Sequence, residues 1–192
     1  PNDEEITIMG WFQLEEYQTQ RSFINSTNLS DEKSFVLCSN NNHFGFFIRD
    51  NDSVLYGGWD ISNATVSESV NSNGWVHYAM SYDGETAKMF INGLQDEVEI
   101  QASGLTIVNE SIVSLGDIVG GGGSIFGKAD DVLIFEKALN IDEINQIVFN
   151  ESTLNEDGLL GQYKFNAGSG NILYDHSGNG NHGTINGATW VE

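Results

Sequence analysis

Apolar and polar residues alternate along most of this chain, with the period of strands that bury one face. In EITIMGWFQL, Ile6, Ile8, Gly10, Phe12 and Leu14 fall on one side, and Thr7, Met9, Trp11 and Gln13 on the other. FGFFIRDNDSVLY reads as a hairpin with Phe44, Phe46 and Ile48 inward, a turn over Asp50, Asn51 and Asp52, and a return strand through Val54. In GWVHYAMSYDGETAKMFINGLQDEVEI, a strand from Trp75 to Tyr82 turns at Asp83-Gly84 into a second from Thr86 to Ile91, which turns at Asn92-Gly93 into a third. Asx-Gly pairs accept the positive φ angles that tight hairpins need. Short turns at near-regular spacing predict an all-β fold, a two-sheet antiparallel β-sandwich of the jelly-roll kind.

One segment changes period. ALNIDEINQIVFN predicts a single short α-helix near residues 140–149, with Asn140 as its cap and Asp142 and Glu143 in the first turn, where the helix dipole favours acids. Ile141, Ile144, Ile147 and Val148 line one face, which is expected to pack across a sheet edge. The glycine run VGGGGS, from Val119 to Ser124, has no Lys-Ser/Thr pair behind it and opens no helix, so it reads as a surface loop and not as a phosphate cradle.

Composition limits the partners. At 192 residues with one proline, the chain is long enough for a single sandwich domain over residues 1–192. Seven basic residues against 28 acidic ones give a net charge of -21, which repels nucleic acid phosphates and anionic lipid head groups. Cys38 is the one cysteine, so no internal disulfide and no thiolate metal site can form. No apolar run approaches the roughly 18 residues that span a bilayer, so membrane insertion is not expected. The opening PNDEE has neither a basic start nor an apolar signal core, and the chain reads as an excerpt of a larger protein.

Several blocks together carry a resemblance: ITIMGWFQL, WVHYAMSYDG, MFINGL, KADDVLIFEKALNIDEI and LLGQYKFNAGSGNILYDHSGNGNHGTINGATW. They resemble the laminin G-like, concanavalin A-type lectin/glucanase superfamily in the jelly-roll form of secreted bacterial proteins. That resemblance implies a secreted or cell-surface location and a monomeric module within a larger chain. It also implies that Trp11 and Trp75, which fall in strand blocks, are core. In typical members the YKF…DHSGNGNHG…NGATW block opens the domain, whereas here it comes last. Either the domain is circularly permuted, or the terminal block begins a following repeat; the first is favoured, because a truncated repeat would leave apolar strands such as LLGQYKF unpaired.

The terminal block also suggests a cation. Calcium takes about six to eight oxygens at roughly 2.3 to 2.6 Å, and glycines let a loop turn its carbonyls inward. In DHSGNGN, Asp175 would be the charged ligand and Asn179 and Asn181 would add amide or main-chain oxygen. By resemblance a second carboxylate comes from Asp130, with Asp131 as its substitute. The competing reading is a tight Asn-Gly turn that satisfies its own backbone.

Catalysis is not expected. Retaining glucanases of the superfamily carry a Glu-x-Asp motif and a further Glu, with carboxyls about 5 to 5.5 Å apart. No Glu here is followed two residues later by Asp, and Glu97 and Glu99 read as the solvated face of an edge strand. His77 has no nearby nucleophile and reads as a hydrogen-bonded strand histidine. Sugar sites need a flat aromatic face with a few polar neighbours. Trp59, in YGGWD, is the best candidate, with Tyr56, Asp60, Arg49 and His43 on the same hairpin. The expectation is therefore a non-catalytic, lectin-like module binding a polysaccharide or cell-surface glycan, with a structural Ca2+ ion. Its rival is an adhesion or spacer repeat that binds protein or nothing.

Overall fold

The computed structural model describes residues 5–27, 34–49, 55–58, 61–62, 74–103, 112–116, 124–149 and 154–191. Its strands are β1 (Ile6–Leu14), β2 (Gln18–Thr27), β3 (Ser34–Asn41), β4 (His43–Arg49), β5 (Leu55–Gly58), β6 (Val76–Tyr82), β7 (Thr86–Ile91), β8 (Leu94–Gln101), β9 (Ile112–Leu115), β10 (Gly127–Phe135) and β11 (Leu159–Tyr163). Two short strands, β12 (Ile172–Leu173) and β13 (Gly183–Thr184), follow, and the helix α1 spans Ile141–Phe149. A six-stranded sheet runs β11-β10-β1-β6-β7-β8 and a five-stranded sheet runs β5-β4-β3-β2-β9. Their pairings are antiparallel throughout, and the sheets stay open, as expected for a β-sandwich.

The inward parity is the one the alternation predicts. Ile6, Ile8, Phe12 and Leu14 of β1 meet Phe44, Phe46 and Ile48 of β4 and Val76, Tyr78, Met80 and Tyr82 of β6 in one core cluster. Tyr78 is fully buried, and its hydroxyl donates to the Gly45 carbonyl at 2.6 Å, joining β6 of one sheet to β4 of the other. Burial raises the Tyr78 pKa well above its ordinary value, so this oxygen stays a donor. Gly10 interrupts the apolar parity because a Cβ there would lie 2.8 Å from Val132 Cγ2, where the β1–β10 register shifts.

The six-stranded sheet is also apolar on part of its outer face, and this determines where the helix goes. Met9, Ala79, Phe90, Leu133 and Phe135 gather there with Leu139, Ile144 and Leu159, and Ile147 and Val148 pack against them. The helix thus covers the sheet face and not an edge, because these side chains need shielding from water. Ile141, assigned to its apolar stripe, is 37% exposed. Asn140 caps the helix: its Oδ1 accepts from the Asp142 and Glu143 N–H groups, and Glu143 Oε2 accepts from the Asn140 N–H. That reciprocal pair is a capping box.

The terminal block folds onto this same sandwich. β11 pairs with β10 through Val132↔Tyr163, Leu133↔Gln162 and Ile134↔Gly161, becoming an edge strand of the six-stranded sheet. Tyr163 and Leu173 enter the main core, and Trp190 packs against it while its indole N–H donates to the Gly170 carbonyl.

Candidate functional site

The β4–β5 hairpin holds the described part of the expected sugar site. Tyr56 lies opposite Ile48 and packs on the main core, so its ring belongs to the inner face. His43 falls on the other parity of β4, so the hairpin does not bring Tyr56 onto its face, and the Arg49 side chain lies outside what the structure describes. Trp59 and Asp60 lie outside the described residues, as does the turn over Asp50 to Asp52. His43 Nδ1 donates to the Ser62 carbonyl at 3.0 Å, while the Ser62 N–H donates to the Phe44 carbonyl. The Ser62 hydroxyl donates to Asp96 Oδ2 at 2.6 Å, and Asp96 Oδ1 accepts from the Val98 N–H. Ser62 and Asp96 are buried, so this bridge ties the segment after β5 to β8 and closes one flank of the sandwich.

The DHSGNGN turn is equally well defined. Asp175, 8% exposed, accepts on Oδ1 from the Gln162 and Ser177 N–H groups, both at 2.9 Å. Its Oδ2 accepts from the Ser177 hydroxyl at 2.8 Å and the Asn181 N–H at 2.9 Å. Burial works to raise its pKa, but the hydrogen bonds from Gln162, Ser177 and Asn181 outweigh it and hold the carboxyl below its ordinary range. Asn179 Nδ2 donates to the Leu159 carbonyl at 2.8 Å, and Asn181 Nδ2 to the Leu160 carbonyl at 2.9 Å. Gly178 and Gly180 take φ of 90° and 76°, the left-handed geometry that folds the turn back onto β11.

These residues form a hydrogen-bonded clasp on an edge strand. Asp130 stands elsewhere, opposite Trp11 on β10, and accepts from the Asp131 N–H at 2.9 Å. Among the described residues, no three His, Cys, Asp or Glu side chains gather closely enough to hold a metal ion. A calcium ion at the turn would have to displace donors from Asp175 and draw on carbonyl oxygens. Calcium here is a proposal resting on the sequence pattern.

Two tryptophans depart from expectation. Trp75 is 39% exposed and Trp11 half-buried, both on the outer face of the six-stranded sheet beyond the helix. His77, opposite Trp11, is 2% exposed and its ring meets the indole edge to face at 5.2 Å. Burial lowers its pKa to about 4, so the ring is neutral at physiological pH, and among the described residues its Nδ1 has no hydrogen-bond partner. The expected hydrogen-bonded strand histidine is thus bonded through its backbone, the N–H donating to Asn92 Oδ1. The shared parity of residues 11, 75 and 77 was the sequence signal for this face. Glu97 and Glu99 lie exposed on β8, as expected of an edge strand.

The chain belongs to a family of the concanavalin A-like lectin/glucanases superfamily, matched over residues 1–145. The terminal block lies beyond that match. Among curated proteins none matches the sequence. Among solved structures, the chain is similar to a Bacteroides ovatus protein assigned to carbohydrate binding, with a TM-score of 0.64 and 14% identity over 95% of this chain and 54% of that one. It thus spans about half the length of that protein. Domain 4 of an extracellular arabinanase from Geobacillus stearothermophilus, in complex with arabinotriose, gives a TM-score of 0.57 and 17% identity over 76% of this chain and 66% of that one. The CBM40 domain of a Ruminococcus gnavus sialidase, bound to α2,3-sialyllactose, gives 0.57 and 17% over 76% and 83%. Each of these likenesses is one of fold.

Proposed function

We propose that this chain is a non-catalytic carbohydrate-binding module that acts as part of a secreted or cell-surface protein. The observation that carries the reading is membership of a lectin/glucanase family together with a fold shared with sugar-bound modules. The missing Glu-x-Asp motif speaks for binding over hydrolysis. The ligand is a polysaccharide or surface glycan, and Trp59 supplies the stacking face, with Asp60, Arg49 and His43 as polar neighbours. Residues 1–192 act as one monomeric domain in which the terminal block supplies the edge strand β11.

Calorimetric titration of the best-binding glycan into wild type and Trp59→Ala, with and without calcium, tests the reading. Loss of binding in the variant supports it. Binding that survives in Trp59→Ala moves the site off the hairpin. Calcium dependence would make an ion part of the site.

A further inference from the structure

We propose that the part of the six-stranded sheet's outer face left uncovered by α1 is a second binding face, one that takes a neutral oligosaccharide. The proposal rests on the carbohydrate reading above and adds a site on the opposite sheet from the Trp59 hairpin. The helix shields Met9, Ala79, Phe90, Leu133 and Phe135, and the sheet continues past it. There the register sets Asp130 of β10 opposite Trp11 of β1, Trp11 opposite His77 of β6, and Lys128 opposite Gln13. Trp75 immediately precedes β6, two residues from His77 and on the same parity. Directly opposed residues stand about 5 Å apart and diagonal ones about 7 to 8 Å. Trp11 and Trp75 are therefore close enough for one short oligosaccharide to contact both.

Two observations distinguish this patch from an ordinary surface. Trp75, at 39% exposure, offers apolar area to solvent. Asp131 takes a φ of 45° at the register shift between Met9 and Trp11. A non-glycine residue in that region is strained, and bulges of this kind re-aim side chains; here the bulge keeps Asp130 beside Trp11.

The chemistry selects the occupant. Indole faces cover the C–H surface of a sugar ring, while Asp130 and Lys128, both partly exposed, bring an acceptor and a donor suited to hydroxyls. A net charge of -21, with Asp130 inside the patch, opposes an anionic sugar.

The test is calorimetric titration of the full chain with hexasaccharides of glucose, xylose, mannose, galactose and arabinose, comparing wild type, Trp75→Ala, Trp75→Phe and Trp59→Ala. Because Trp75 is exposed, Trp75→Ala is expected to keep the wild-type circular dichroism. The face predicts binding by wild type to at least one of these sugars, about tenfold weaker in Trp75→Ala and largely restored in Trp75→Phe. Binding that is unchanged in Trp75→Ala but lost in Trp59→Ala would overturn this face and leave the carbohydrate reading standing. No binding of wild type to any of the five would overturn this face, while binding of another glycan that Trp59→Ala abolishes would leave the carbohydrate reading standing.

Discussion

The Asp175 carboxylate accepts the Gln162 backbone N–H at 2.9 Å, across thirteen residues of chain, and so fastens the terminal turn to the edge strand β11. An edge strand presents backbone groups that need partners. Asp175 takes a donor from β11, and Asn179 and Asn181 give N–H groups to its Leu159 and Leu160 carbonyls. The segment that looks like a cation loop in sequence also clasps a strand in the fold.

Asp175→Asn replaces one acceptor oxygen with an NH2 group facing donors. It is expected to cost about 3 kcal/mol, seen as a lower Tm of roughly 6 to 10 °C. The clasp predicts the same loss with and without calcium. A rise in wild-type Tm produced by calcium, absent in sodium chloride of equal ionic strength and absent in Asp175→Asn, would instead place an ion at the turn.

His77 makes stability depend on pH in a defined window. Its pKa is about 4 when folded against 6.5 when free, so between these values the unfolded chain binds the extra proton. Stability from this group is therefore complete above pH 6.5 and falls as pH drops toward 4, by up to ~3 kcal/mol. Urea melts from pH 7 to 4 should show this slope, and His77→Gln should flatten it. Asp175 acts in a lower window: its depressed pKa gives stability that is present above 3.8 and lost as pH falls below that value.

The strands and turns were legible because each follows from a local rule. Alternation marked the inner faces of β1, β4 and β6, Asp83-Gly84 and Asn92-Gly93 marked the turns, and Asn140 marked the helix start. What was not legible depends on partners far away in sequence. Parity showed that Met9 and Trp11 share a face, but not that α1 covers the first and leaves the second beside an exposed Trp75. Likewise, an oxygen-rich glycine turn looks the same whether it wraps an ion or a strand. Sequence does not say where the donors to Asp175 come from, and in the fold they come from β11 and from the turn itself.

Asn140→Ala removes the acceptor for two helix N–H groups while leaving the apolar face of α1 intact. The expected cost is about 1 kcal/mol, measured as a shift of the urea midpoint at constant slope. An equal cost from Asn140→Ser would contradict the capping role, since serine caps nearly as well.

Tyr78→Phe keeps the ring packed against Phe23 and Phe44 but leaves the Gly45 carbonyl without this donor. A loss of about 1 to 2 kcal/mol is expected, with no change in far-ultraviolet circular dichroism. A neutral outcome would show that the hydroxyl contact between the sheets adds nothing to stability.

Carbohydrate binding is the central claim, and a glycan array probed with the labelled wild-type chain at high protein concentration tests it most directly. The account predicts reproducible binding to a defined set of glycans, competed by the same sugar free in solution. No binding to any glycan on the array would contradict it and favour an adhesion or spacer repeat.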